Sequence, residues 1–138
     1  MSATGRPALA LFDLDGTLLP HDTQLLFCNW VLRRHALRRF FLPLVAAFAP
    51  AGITRVLDAR ELKRIFLSYL WLMPEDRVRA YARQFAEWVS ARCLYPEMEQ
   101  EIARHRAEGR VLVLNSASPD FYVREIGRVL GFHHAIGT

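Results

Sequence analysis

Lysine is nearly absent from this chain. Lys63 is the only one, so arginine carries almost all of the net charge of +4. That modest excess favours anionic small molecules or surfaces and does not by itself imply nucleic acid. Cysteine is scarce as well. Cys28 and Cys93 stand far apart in the chain and match no metal-ligand spacing, so both are expected as buried apolar residues, not ligands or a disulfide. The segment from Met1 to Pro7 has no apolar core of the signal-peptide kind. Residues 40–54 are uncharged and mostly apolar, yet shorter than the ~20 residues a spanning helix requires. Pro43, Pro50 and Gly52 interrupt them too. The expectation is a cytoplasmic protein, with neither nucleic-acid binding nor membrane contact. Repeats and low-complexity linkers are also missing.

What is present is 138 residues, 52% hydrophobic and 23% charged, the composition of one globular chain large enough to bury a core. The most informative stretch is Leu9-Ala-Leu-Phe-Asp-Leu-Asp-Gly-Thr-Leu-Leu19. An apolar run from Ala8 to Phe12 reads as a buried strand ending on Asp13, with Asp15 two residues on. Gly16 and Thr17 break the strand pattern. Two carboxylates at i, i+2 project to one side of an extended chain, where they repel and are costly to desolvate. A Mg²⁺ ion, which takes one or two carboxylates together with phosphate oxygens, would resolve that conflict.

Beyond the turn the period becomes helical. Leu25, Leu26, Trp30, Val31 and Leu37 form a stripe ahead of Arg33, Arg34, Arg38 and Arg39. These arginines, next to Phe40 and Phe41, read as a solvated helix face in preference to a phospholipid contact. A second helix is expected from Phe40 to Phe48, ended by Pro50 to Gly52, and a third from Asp58 to Leu72. Pro74 opens a fourth, with Glu75 and Asp76 in its first turn. Pro96 starts a fifth that Gly109 closes. Val111 to Leu114 is a strand with Asn115, Ser116, Ala117 and Ser118 at its tip. Ser118 and Pro119 are expected to cap a last helix. Ala135 and Ile136 suggest a short third strand. Trp30, Trp71 and Trp88 are expected in the core. Asp22 is expected chiefly as a helix cap, with contact to substrate as the other reading.

The order of strand, helical block, then helix, strand and helix implies an α/β fold with a partial parallel, Rossmann-like sheet and an inserted helical cap. Residues 1–23 and 94–138 would form the core and 24–93 the cap.

Asp13-Leu-Asp-Gly-Thr17 resembles the nucleophile motif of the haloacid dehalogenase superfamily. Val111-Leu-Val-Leu-Asn-Ser-Ala-Ser-Pro119 resembles its second motif, with Ser116 in the key place. Residues 8–138 as a whole look like the phosphoserine-phosphatase-like branch. The resemblance implies an Mg²⁺-dependent phosphomonoester hydrolase acting on a small phosphorylated substrate. In that scheme Asp13 is the nucleophile, Asp15 the proton donor and acceptor, and both serve the metal, Asp15 through its backbone. Ser116, Gly16 and Thr17 would bind the substrate phosphate. A lysine motif and a later acidic motif of that family have no counterpart: no lysine follows Lys63, and Asp120 and Glu125 are the only acids after Ser116. A rival reading is therefore a non-catalytic remnant or partner-binding module, completed by a complementing chain or by self-association.

Overall fold

The structure is a computed structural model that describes residues 7–54 and 56–138. Three parallel strands form one sheet in the order β1-β2-β3: β1 is Leu9–Phe12, β2 is Val111–Asn115 and β3 is His134–Ile136. Leu9 stands opposite Val111 and Phe12 opposite Leu114, so the carboxyl ends of β1 and β2 arrive side by side. The segment between them is helical. It runs α1 (Thr23–Arg34), a 3-10 helix (Ala36–Phe41), α2 (Leu42–Ile53), α3 (Ala59–Phe66), a short 3-10 helix (Leu67–Leu70), α4 (Glu75–Arg92) and α5 (Pro96–Ala107). After β2, α6 (Asp120–Val129) leads into β3.

Alternation along β1 and β2 decides which sheet face is enclosed. Ala10, Phe12, Leu112 and Leu114 are buried, while Leu9 and Leu11 are exposed and Val111 and Val113 half-covered. On the buried face the Phe12 ring meets the edges of His105 and Phe132. Behind it lie Ile102 of α5 and Tyr122, Val123 and Ile126 of α6, all enclosed. Phe85 of α4 packs edge-on against Tyr122 at 5.5 Å. Each such side chain contributes about 1.5–3 kcal/mol by leaving water. Gly127 is required by the close approach of α6 to β3, since a Cβ there would stand 2.5 Å from that of Ala135.

The chain separates into two compact units: residues up to Leu26 with Arg79–Thr138, and Phe27–Val78. Residues 79–93, expected above with the cap, therefore group with the sheet. Inside the helical unit, Asp58 accepts the Glu61 amide while Glu61 accepts the Asp58 amide, a capping box that starts α3. Arg38 donates to the carbonyls of Tyr69 and Trp71, both at 2.7 Å. Arg34 lies over the Trp30 ring, 3.3 Å from its centroid.

Three local expectations are corrected. The helix expected to end at Pro50 runs on to Ile53 with Pro50 inside it. Proline's fixed φ is compatible with a helix; Pro50 forgoes only the amide hydrogen bond to the carbonyl four residues back, close to the end of α2. Trp71 is exposed, not in the core; Leu72 just after it adopts φ 59°, where the chain turns out of its helical path. Ser118 does not cap α6. Pro119 is the N-cap and no side chain closes that end. Cys28 is buried, Cys93 is half-buried, and neither is paired. Among the described residues no helix is long and apolar enough to cross a membrane.

Candidate active site

β1 ends at Phe12, so both aspartates lie on the loop beyond it and not on the strand as expected. Leu14 between them is fully buried, and Leu18 and Leu19 are buried after them. These three leucines fasten the loop to the core. Within it the Gly16 amide donates to the Leu19 carbonyl at 2.8 Å and the Leu18 amide to the Leu14 carbonyl at 3.0 Å. Gly16 has φ +72°, a conformation that glycine adopts without strain. Its amide and that of Thr17, which donates to Leu14, are both used inside the turn. Gly16 thus shapes the loop, and what Thr17 can offer a phosphate is its exposed side chain.

The two carboxylates occupy different surroundings. Asp13 is exposed, with the Leu14 amide donating to its Oδ1 at 2.8 Å. Asp15 is turned inward and half-buried. The Thr23 amide donates to its Oδ1 at 2.8 Å, and the Ser118 hydroxyl donates to its Oδ2 at 2.5 Å. The repulsion expected between two bare acids is thus relieved at Asp15 by neutral donors. The Thr23 and Ser118 hydroxyls lie 3.1 Å apart, and the Tyr122 hydroxyl is 3.2 Å from that of Thr23. Burial pushes the Tyr122 phenol well above the usual tyrosine range, so it stays protonated.

Ser116 comes two residues after Leu114, the partner of Phe12, and so lies at the same end of the sheet as Asp13. It is buried, its amide donates to the Ile136 carbonyl, and its Oγ accepts the Ser118 amide at 3.1 Å. The hydroxyl hydrogen is then left to donate. The β3 end braces this tip: the Thr138 amide donates to the Ser118 carbonyl at 3.0 Å and its hydroxyl to the Ala117 carbonyl at 2.7 Å. The Gly137 amide donates to Asp120 at 3.0 Å. A Cβ at Gly137 would collide with the Asp120 main chain and the Ser118 carbonyl oxygen, so only glycine fits there.

Asp22 caps α1, its Oδ1 accepting the amides of Gln24 at 2.9 Å and Leu25 at 3.1 Å. Arg110, Arg124 and Arg128 are in ion pairs with Glu108, Asp120 and Glu125. The sequence reading missed Ser118, Thr23 and Tyr122. No local pattern marks Ser118 as a partner of Asp15, because the two stand 103 residues apart.

Among the described residues no group of three or more His, Cys, Asp or Glu side chains is arranged to hold a metal. The donors present still fit Mg²⁺, an ion that keeps most of its waters and asks the protein for one or two carboxylates beside substrate phosphate. Asp13 is exposed and can serve; the side-chain oxygens of Asp15 are already engaged.

A parallel sheet with paired acids on the loop after one strand and a serine after its neighbour defines a class, and the sequence comparison agrees with it. Residues 10–138 match the haloacid dehalogenase-like hydrolase family, to which the chain belongs. It is 33% identical over 135 residues to Protein CicA of Caulobacter vibrioides, in both strain NA1000 / CB15N and strain ATCC 19089 / CIP 103742 / CB 15. That alignment covers 96% of this chain and 59% of the relative, so the chain spans about three-fifths of the curated relatives it matches. A Bordetella pertussis Tohama I protein of unknown function superposes with TM-score 0.77 at 26% identity, over 96% of this chain and 60% of that one. A phosphoserine phosphohydrolase-like protein from Francisella tularensis shares the fold, with TM-score 0.57 and 14% identity over 91% of this chain and 54% of that one. So does a phosphoserine phosphatase in a phospho-aspartyl intermediate analogue, with TM-score 0.56 and 21% identity over 96% of this chain and 56% of that one.

Proposed function

We propose that the site hydrolyses a small phosphomonoester through a covalent aspartyl phosphate, with Mg²⁺ as cofactor. The observation that carries this reading is the contrast between an exposed Asp13 and an Asp15 held by two donors, with Ser116 at the same end of the sheet. A nucleophile must be open to substrate. A group that exchanges protons must be oriented.

In the first step an Asp13 oxygen attacks phosphorus. The bond from phosphorus to the ester oxygen breaks, and that oxygen leaves as an alcohol with the proton carried by Asp15. In the second step water gives a proton to Asp15 and its oxygen attacks phosphorus. The bond to Asp13 breaks, releasing inorganic phosphate and restoring both carboxyl groups. The Ser116 hydroxyl donates to a phosphoryl oxygen throughout. Mg²⁺, held by Asp13 and by the backbone of Asp15 as the family resemblance implies, would neutralise charge on the phosphoryl group.

A panel of phosphomonoesters assayed with and without Mg²⁺ tests the reading. Magnesium-dependent turnover and a trapped phosphoryl group on Asp13 are the expected results; an adduct on another residue overturns the assignment. The second reading, a non-catalytic module completed by another chain, draws on the exposed Leu9 and Leu11 of β1. It predicts no turnover by the chain alone and recovery only when a complementing segment is supplied.

A further inference from the structure

Asp15 has one hydrogen-bond donor on each carboxylate oxygen, and the two donors differ in kind. The Thr23 amide is fixed by the start of α1. The Ser118 hydroxyl can rotate, so something must direct its hydrogen. Ser118, Thr23 and Tyr122 are all buried, at 4%, 0% and 0% exposure, and their hydroxyls form one cluster. The Thr23 hydroxyl stands between the other two, 3.2 Å from that of Tyr122 and 3.1 Å from that of Ser118. With a protonated phenol donating to the Thr23 oxygen and the Thr23 hydroxyl donating on to Ser118, the Ser118 oxygen receives a hydrogen bond and its own hydrogen is left for Asp15. Asp15 cannot then swing towards Asp13 without abandoning a buried hydroxyl, which costs about 1–3 kcal/mol.

We propose that Ser118 is a positioning residue for Asp15: with Thr23 and Tyr122 behind it, its hydroxyl holds the Asp15 carboxyl in the orientation from which it passes a proton to the leaving oxygen. The inference rests on the reading of Asp15 as the proton carrier. It assigns to Ser118 a task distinct from that of Ser116 two residues earlier. Ser116 donates to substrate, whereas Ser118 acts on substrate only through Asp15. The brace from Thr138 and Gly137 onto the Ser118 and Ala117 carbonyls and Asp120 gives this second serine a fixed backbone from which to do so.

Leaving-group dependence separates positioning from a general structural role. An alkyl phosphate needs its departing oxygen protonated, and p-nitrophenyl phosphate, with a stable phenolate, scarcely does. In the 138-residue chain Ser118→Ala is expected to lower kcat/KM for ethyl phosphate by roughly 10–100-fold, part of the 10²–10⁴ that acid catalysis supplies. The value for p-nitrophenyl phosphate should change less than about threefold. Ser118→Thr, which keeps the hydroxyl, should restore most of the loss, and Tyr122→Phe should show the same pattern more weakly. An equal loss on both esters, or no loss on either, overturns the proposal. Three-bond couplings to the Asp15 carboxyl carbon provide a readout that needs no turnover. They should report one side-chain rotamer in the wild type and in Ser118→Thr, and averaging in Ser118→Ala. A single unchanged rotamer in Ser118→Ala overturns the proposal even if activity falls. Failure of the wild type to cleave either ester removes the phosphatase reading alone, and the couplings still decide whether Ser118 holds Asp15.

Discussion

In the sheet-bearing unit the apolar residues of α4, α5 and α6 that recur at helical spacing are enclosed, from Phe85 and Val89 through Ile102 to Val123 and Ile126. In the helical unit α2 has no charged residue and leaves Leu42, Leu44, Phe48 and Ile53 exposed, and Leu37 and Phe40 ahead of it are exposed too. No acidic residue lies between Asp22 and Asp58, where Arg33, Arg34, Arg38 and Arg39 stand. The first pattern is that of an amphipathic helix packed on a core. The second is apolar all round, with no stripe to direct its packing. Hydrophobic content alone therefore does not say where a core lies; period does. The chemistry-bearing residues of the site all belong to the unit in which period and burial agree.

The sharpest way to break this comparison is at Asp13, the proposed nucleophile. Asp13→Asn should abolish phosphatase turnover, a loss of at least about 10³-fold for a nucleophile that acts as a unit with its partners. Asp13 is exposed on its loop, so thermal stability should hardly move. Wild-type-like turnover in the purified variant would end the assignment. Next in size is stability. Phe85→Ala removes a ring that is fully enclosed and packed on Tyr122, and should cost about 3–5 kcal/mol. Phe40 is 81% exposed, so Phe40→Ala should stay within about 0.5 kcal/mol. Denaturant titration of both measures the contrast; similar costs would mean that the helical unit covers Phe40 after all.

A smaller effect is expected at the sheet edge. Leu9 and Leu11 are 67% and 68% exposed on a strand with only one partner among the described residues. Such an edge is a template for strand pairing. The chain is expected to self-associate, and Leu9→Thr with Leu11→Lys to shift it towards monomer in sedimentation. A wild-type chain that is a monodisperse monomer, with strongly protected amides from Leu9 to Phe12, would show the edge to be covered in another way.

Much of this was legible in the sequence, for identifiable reasons. β1, β2 and β3 were readable because short apolar runs end abruptly on polar turns. The α4 and α5 starts were readable from Pro74 and Pro96, and the Asp22 cap from its place before a stripe. Asp13, Asp15 and Ser116 were found because their spacing resembles a family motif. The Ser118 contact was not legible: its partner Asp15 is over a hundred residues away, and local rules favoured a helix cap for a serine before proline. The commitment of the Gly16 amide to its own turn escaped for a similar reason, since a glycine after two acids reads equally as a phosphate cradle or a hinge. Residues 40–54 misled in the opposite sense, because Pro50 forgoes one local hydrogen bond near the end of α2 and does not stop it.

The smallest expected effect contrasts the two cysteines, one in each unit. Burial pushes the Cys28 thiol up to about 11 from its ordinary 9.0. Burial also raises Cys93, but the Arg92 guanidinium opposes the shift. Because the thiolate is the reactive form, iodoacetamide at pH 8 should modify Cys93 first and reach Cys28 only as the chain unfolds. The same shift makes a stability prediction. Well below pH 9 the Cys28 thiol is protonated in both states and contributes no pH dependence. Between pH 9 and about 11 the unfolded chain loses this proton while the folded chain keeps it, so stability falls as pH rises. At pH 9.5 the loss is on the order of 1 kcal/mol from this group. Cys28→Ala should flatten that part of the stability profile by the same amount, measured against its own value at pH 8. An unchanged slope, or Cys28 labelling as fast as Cys93 in the folded chain, would show that the helical unit opens readily enough to wet α1. The difference between a well-packed unit and a loosely covered one would then extend to Cys28 itself.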